Sequence, residues 1–350
     1  MDGEVPPRTK AAPGARSTFI ISLDCELYWG MRDKRPLEAC REDLLGDRLV
    51  VPRLLALFDE FGIHATWAFV GFLFYRDRAR LVEVLPQELP QYLDSRLCPY
   101  FELPRIGANE DEDPFRFGAS LVEEVLRHGG QELASHTFSH YYCLEPGQTL
   151  GEFRADLDAA RSAAAQYGVE LSSLVLPRNQ VNEEYLATCR DCGFLAYRGN
   201  QTSWLYRARN GREETTFRRA ARYTDAFVNL SGMQAHALAD PGDDRPVNVP
   251  ASRFFYPSKK MTAPFDRLRV RRIRREMTFA AEHGLLYHLW WHPHNFGRDP
   301  ETNLALLREV LEHYRHLHET AGMQSRTMRE VAEAVIAGGE AGATGPQRSG

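Results

Sequence analysis

The sequence predicts an α/β fold with parallel strands whose functional residues gather at the carboxyl ends of those strands. Two observations carry this. Across residues 18–336, short apolar runs alternate with longer stretches of helical periodicity. Charged or imidazole side chains repeatedly follow the apolar runs, at Asp24, His136, Arg178 and His292. This is where α/β barrels keep their active sites.

Residues 18–23 read as a buried strand ending at Asp24. Residues 50–61 place Leu54, Leu55, Leu57 and Phe58 at helical spacing, and Gly62 is the stop. Residues 65–71 form a second strand. Residues 76–118 are acidic, interrupted by proline and poorly periodic, which predicts an insertion. A helix over 121–128 then leads into a strand at 131–135 that delivers His136. A long helix follows at 150–167, stopped by Gly168, and a strand at 174–176 enters the turn Pro177-Arg178-Asn179-Gln180. A helix over 182–192 and a strand over 194–197 come next. Residues 199–246 are irregular and predict a second insertion, followed by a short strand at 247–250. The pattern closes with a helix at 267–283, a strand at 285–291 ending at His292, and helices at 304–320 and 327–336. Residues 1–16 and 337–350 are small and polar and predict disordered tails around one domain, residues 17–336.

Composition narrows the function classes. The chain has 350 residues and a net charge of -5, which gives no global case for nucleic-acid binding. Six cysteines are too few and scattered for a disulfide framework, so free thiols in a reducing cytoplasm are expected. No secretory signal or transmembrane run is visible, which favours a cytoplasmic location and an intracellular substrate. The dense basic stretch Arg267, Arg269, Arg271, Arg272, Arg274 and Arg275 reads as a solvated helix face, or else as a patch for phosphate, a nucleotide-sugar diphosphate or an anionic lipid headgroup. Cys189 and Cys192 lack a second pair and read as structural.

Chemistry concentrates in two short segments. His136 and His140 are four residues apart, and on a helix that spacing shares one face and can grip one ion. Asp24 and Glu26 are two apart, and on a strand that spacing points both into one cavity. Two imidazoles and a carboxylate suit a catalytic divalent metal with an open position, and the spare carboxylate suits a general base.

The order strand-Asp24-Cys25-Glu26, then Glu132-Leu133-Ala134-Ser135-His136-Thr137-Phe138-Ser139-His140, then an arginine turn, then a strand ending in His292, resembles the NodB-type polysaccharide deacetylases, carbohydrate esterase family 4. The resemblance spans about residues 18–335. It implies a distorted (β/α)7-type barrel and hydrolysis of N-acetyl or related amides with a divalent metal, zinc first, with cobalt, nickel, manganese or iron as alternatives. It implies metal ligands His136 and His140, a catalytic base at Asp24, an arginine at Arg178 that orients the base, and a general acid at His292. The family's usual second aspartate is replaced by Cys25, so Glu26 is assigned as the third ligand. The period-two geometry supports this, and Cys25 is the weaker alternative. The family's fourth motif is not recognisable. Trp29, Trp290 and Trp291 are candidates to stack on a sugar ring, and His294 and Asn295 to line the rim. A main-chain N–H of Tyr141 or Tyr142 is the candidate oxyanion donor. The expected substrate is an amino sugar, either a small molecule, a lipid-linked or nucleotide sugar, or an oligosaccharide. The same machinery on a ureide or cyclic imide is the second reading, and a non-catalytic carbohydrate-binding protein the third.

Overall fold

The computed structural model describes residues 17–206, 216–227, 230–239, 242, 244–261 and 263–343. The expected tail at 1–16 lies outside the described residues. The strands are β1 (Thr18–Cys25), β2 (Ala65–Phe69), β3 (Gln131–Ser135), β4 (Ser173–Leu174), β5 (Ala196–Tyr197), β6 (Val247–Asn248), β7 (Arg253–Phe254), β8 (Leu286–Trp291) and β9 (Gln324–Ser325). The helices are α1 (Leu37–Phe61), α2 (Arg78–Glu83), α3 (Ala119–Leu126), α4 (Leu150–Ala165), α5 (Leu186–Asp191), α6 (Thr216–Asp225), α7 (Asp266–His283), α8 (Pro300–Ala321) and α9 (Met328–Ala343).

The sheet order is β6-β5-β4-β3-β2-β1-β8-β7, with β9 beside the start of β1. Every neighbouring pair is parallel, which requires the crossovers that the alternating sequence pattern supplies. The sheet curls into an incomplete barrel of the NodB type.

β1 is apolar almost throughout because both of its faces are covered. Phe19, Ile21, Leu23 and Cys25 join the large cluster under the outer helices. Ile20 joins an inner cluster with Ala68, Ala134, Ala196, Val247 and Leu286. Met328, Val331 and Ala332 of α9 complete that inner cluster. The N–H of Met328 donates to Thr66 Oγ1 at 2.9 Å and that of Arg329 to Glu132 Oε2 at 3.1 Å. These bonds seat α9 across the amino ends of the strands, so the carboxyl ends are left for the site.

Several boundaries differ from expectation for local reasons. α1 begins at Leu37 rather than at residue 50, and it ends at Gly62, whose φ of 63° accommodates the left-handed cap. Within α1, Gly46 meets Gly297 so closely that a Cβ at 46 would lie 2.1 Å from Gly297 Cα. This contact fixes the loop that follows His292. Residues 182–192 divide into a 3-10 turn (Glu183–Tyr185) and α5. The helix expected to end at 336 continues to Ala343. Residues 76–118 are bound into the body of the fold: Phe115 and Phe117 are buried, and Trp29 Nε1 donates to the Arg116 carbonyl at 2.9 Å.

Candidate active site

β1 sets one wall of the site. Ser22 and Asp24 alternate inward with Ile20, whereas Cys25 turns outward into the apolar cluster. Burial pushes the Cys25 thiol well up, and its side chain packs in that cluster, apart from the group formed by Glu26, His136 and His140. Glu26 lies one residue beyond the strand, with φ -118° and ψ -15°, and opens a 3-10 turn (Leu27–Gly30). Gly30 makes room for it, since a Cβ there would fall 1.9 Å from the Glu26 carboxyl carbon.

The two imidazoles reach Glu26 from a loop, not from a helix as their spacing suggested. The loop after β3 takes left-handed conformations at Thr137 (φ 61°) and His140 (φ 58°). Asp156 on α4 clamps it, accepting from the N–H groups of Phe138 at 2.6 Å and Ser139 at 3.1 Å and from the Ser139 hydroxyl. Burial pushes the Asp156 carboxyl up to about 7 against those hydrogen bonds.

Glu26 Oε2 lies 3.0 Å from His140 Nε2 and 3.4 Å from His136 Nε2. His136 Nδ1 is 2.8 Å from the Val175 carbonyl, a pure acceptor, so the proton sits on Nδ1 and Nε2 presents its lone pair. His140 Nδ1 is 3.1 Å from the Tyr142 hydroxyl, which donates to Asp33 at 3.4 Å. Three lone-pair-bearing atoms thus converge within 4.8 Å of one another, all buried. Such a set repels itself unless a cation sits among it, and the donors fit a divalent metal. Burial alone would raise the Glu26 carboxyl, but the neighbouring His292 imidazole, the largest opposing influence, helps bring it well below its usual range.

Asp24 stands beside this cluster. Its two oxygens accept from Arg198 Nη1 at 2.6 Å and Nη2 at 2.7 Å, a fork-to-fork pair with both groups buried. Burial opposes the charge, yet Arg198, followed by His136 and His292, brings the Asp24 carboxyl below its ordinary value. Arg198 follows β5 and is fixed in turn by Ser22 Oγ at 3.0 Å, Asn179 Oδ1 at 3.0 Å and the face of Trp290 at 4.1 Å. His288 Nε2 supports Ser22 at 2.8 Å.

Arg178 does not touch Asp24, contrary to the expectation from the turn. It pairs with Asp33 and with Glu145 at 3.5 Å, and it lies over the Tyr142 ring at 3.9 Å. Arg178 (φ 56°) and Asn179 (φ 52°) are both left-handed, so the turn aims its arginine toward Asp33 and offers the Asn179 side-chain oxygen Oδ1 to Arg198. Arg198 was missed although the rule that selected the other residues, a polar side chain directly after a strand, applies to it. Asp156 also carried a signal, a carboxylate on the stripe of α4 shared by Phe153, Leu157 and Ala160.

His292 follows β8, with Nε2 3.5 Å from Glu26 Oε1 and 3.9 Å from Asp24 Oδ2. His294 is buried with its ring 5.0 Å from that of His292, and burial pushes its imidazole down to about 3. Asn295 is half-buried. The aromatic residues expected to meet a sugar are mostly elsewhere. Trp29, Tyr141 and Trp291 are fully buried, Trp291 being stacked on Phe296. Trp290 is half-buried beside His292, at 5.8 Å, and stands at the mouth. The candidate oxyanion donors are also committed: the Tyr141 N–H to Thr137 Oγ1 at 2.7 Å and the Tyr142 N–H to the Tyr92 hydroxyl at 2.8 Å.

No family model matches the sequence, and no curated protein matches it. Solved structures do match. A Mycobacterium smegmatis protein assigned as a polysaccharide deacetylase superposes with a TM-score of 0.59 at 16% identity, covering 96% of each chain. A protein so assigned from Pseudomonas aeruginosa PAO1 gives 0.54 at 11% identity over 92% of each chain. The chain has the polysaccharide deacetylase fold. The fold is shared more widely, since Puue allantoinase superposes at 0.53 with 13% identity, covering 96% of this chain and 95% of that one. At such identities the likeness is one of fold. Within the deacetylase fold, the cluster described above lies at the carboxyl ends of β1, β3, β5 and β8.

Proposed function

We propose that the chain is a metal-dependent amide hydrolase that removes an acyl group from an amino-sugar substrate. The observation that carries this reading is the separation of roles between two adjacent carboxylates. Glu26 faces two imidazole lone pairs, while Asp24 is held away from them by Arg198. A divalent ion bound by Glu26, His136 and His140 supplies Lewis acidity toward a carbonyl oxygen and a water. Asp24 accepts the proton of the attacking water. Arg198 keeps Asp24 ionised and fixes its direction, which leaves lone pairs on each oxygen for the water. His292, across from Asp24, gives a proton to the departing nitrogen. Trp290 closes one side of the mouth and offers a partly exposed face to the substrate.

A second reading, hydrolysis of a non-sugar amide such as a ureide or cyclic imide, gains support from the burial of Trp29, Tyr141 and Trp291, which takes these three expected contacts away from a sugar. Metal content measured by mass spectrometry on wild type, Glu26→Ala and Cys25→Ala tests the site. About one transition metal per chain is expected, lost in Glu26→Ala and kept in Cys25→Ala. A wild type that holds no metal after zinc or cobalt is supplied would overturn the hydrolase. A panel of N-acyl amino sugars against cyclic imides and ureides then separates the two substrate classes.

A further inference from the structure

Of the eleven large apolar side chains exposed among the described residues, four belong to one edge of the molecule: Leu230 (56% exposed), Met261 (90%), Phe265 (51%) and Leu268 (45%). The segment carrying Leu230 is tied down onto α7, where Arg272 donates to the Asp225 carbonyl and Arg269 lies 5.7 Å from the Phe227 ring. Phe227 in turn contacts Phe265 at 6.2 Å.

The stretch from 259 to 275 carries charge almost wholly of one sign. Between residues 259 and 275 the only acidic residue is Asp266, which is buried against Arg269 and Ser258. Arg269 and Arg272 turn inward to Asp266, Asp225 and Glu276, but Lys259, Lys260, Arg267, Arg271, Arg274 and Arg275 are exposed. On α7 those arginines fall at steps of four, three and one, which is one helix face. A protein of net charge -5 thus presents a local cationic belt around Met261, which is 90% exposed.

The edge is continuous with the mouth of the site. His292 contacts Phe254 at 5.8 Å, Phe254 contacts Tyr256 at 4.7 Å, Tyr256 contacts Tyr223 at 5.3 Å, and Tyr223 contacts Phe227 at 5.3 Å. Phe254, Tyr256, Tyr223 and Phe227 are half-buried, so a wall of ring edges and faces runs from His292 to Phe265.

We infer that this edge docks on an anionic bilayer surface. Met261, Phe265, Leu268 and Leu230 enter the headgroup region, and the lysines and arginines meet lipid phosphates. Apolar residues ringed by cations match that surface, which is negative outside and apolar just beneath. Docked this way, the site opens toward lipid along the aromatic wall, and its substrate is an amide carried on a lipid anchor. This last clause rests on the hydrolase reading, whereas the docking itself does not.

Co-sedimentation of the full chain with vesicles tests it. Vesicles of phosphatidylcholine alone are compared with vesicles to which phosphatidylglycerol has been added, each at low and high salt. Binding to the anionic vesicles is expected to be roughly tenfold tighter or more and to weaken with salt. Met261→Ser and Lys260→Glu, both on exposed side chains, should each weaken it severalfold. Leu49→Ser, an exposed apolar position on α1, should leave it unchanged. Absence of binding, equal binding to both vesicle types, or full binding by Met261→Ser overturns the proposal. So does a concentration-dependent dimer in light scattering that Met261→Ser abolishes, because the edge would then serve a second copy of the chain. Metal content read on the same preparation reports the hydrolase separately, so loss of one reading is not mistaken for loss of the other.

Discussion

The four long strands at the centre of the sheet and the four short strands at its two edges are held in different ways. β1, β2, β3 and β8 have eight, five, five and six residues. β4, β5, β6 and β7 have two each. In the long set, the main-chain ladder fixes the positions of Asp24, His136 and His292. Around β7, buried charge does much of that work. Arg253 pairs with Glu276 at 2.7 Å and Asp225 at 3.2 Å, Arg272 joins both, and the Tyr287 hydroxyl donates to Glu276 at 3.0 Å. Such a network holds only because each ion is paired, since an unpaired buried charge is costly. The comparison teaches that a regular scaffold supplies the reactive groups, while the short set supplies Arg198, which keeps one of them charged.

The largest effect should come from the long set. Asp24→Asn is expected to retain metal and lose turnover by about 10²–10⁴-fold, as when a general base is removed. Because Arg198 loses its charge partner, the variant should also be less stable. Full turnover in Asp24→Asn would remove Asp24 from the mechanism.

The next test contrasts two arginines. Arg198→Ala leaves Asp24 buried without its guanidinium and is expected to cost about 3–5 kcal/mol of stability, together with most of the activity. Arg178→Ala takes a mostly buried guanidinium from Asp33 and Glu145, and, since Arg178 is more exposed than Arg198 and does not touch Asp24, it should cost less of both. Urea denaturation and initial rates on the two variants check this, and equal losses would erase the distinction drawn between Arg198 and the turn.

The smallest effect concerns two buried histidines, His288 on β8 and His236, which bridges to the start of that strand. Burial pushes His236 down to about 4 and His288 down to about 3, from an ordinary value of 6.5. Between those limits only the unfolded chain takes up the protons, so it binds more protons than the folded chain and stability rises with pH. Stability should therefore fall as pH drops from about 6.5 toward about 4. His236→Gln should flatten that slope by up to about 1.4 kcal/mol per pH unit. A urea midpoint that stays level over the range in wild type would contradict it.

The sequence by itself determined the α/β class, the barrel-like order of elements, and the placing of Asp24, Glu26, His136, His140 and His292 in strand-end segments. Those features follow from local rules: apolar periodicity marks strands and helices, and a parallel sheet exposes its carboxyl ends. Tertiary structure decided the rest. Left-handed conformations at Thr137 and His140 brought the imidazoles to Glu26, where a helical spacing had been expected. Arg198 replaced Arg178 because two left-handed residues turned the latter toward Asp33, and nothing in the residue order of that turn encodes the direction. Two-residue strands such as β7 carry no period to read, so the path of aromatic rings from His292 to Phe265 emerged only from packing between segments far apart in the chain. The burial of Trp29, Tyr141 and Trp291 has the same origin, since an aromatic side chain next to a strand end is a core residue or a ligand platform according to what packs on it.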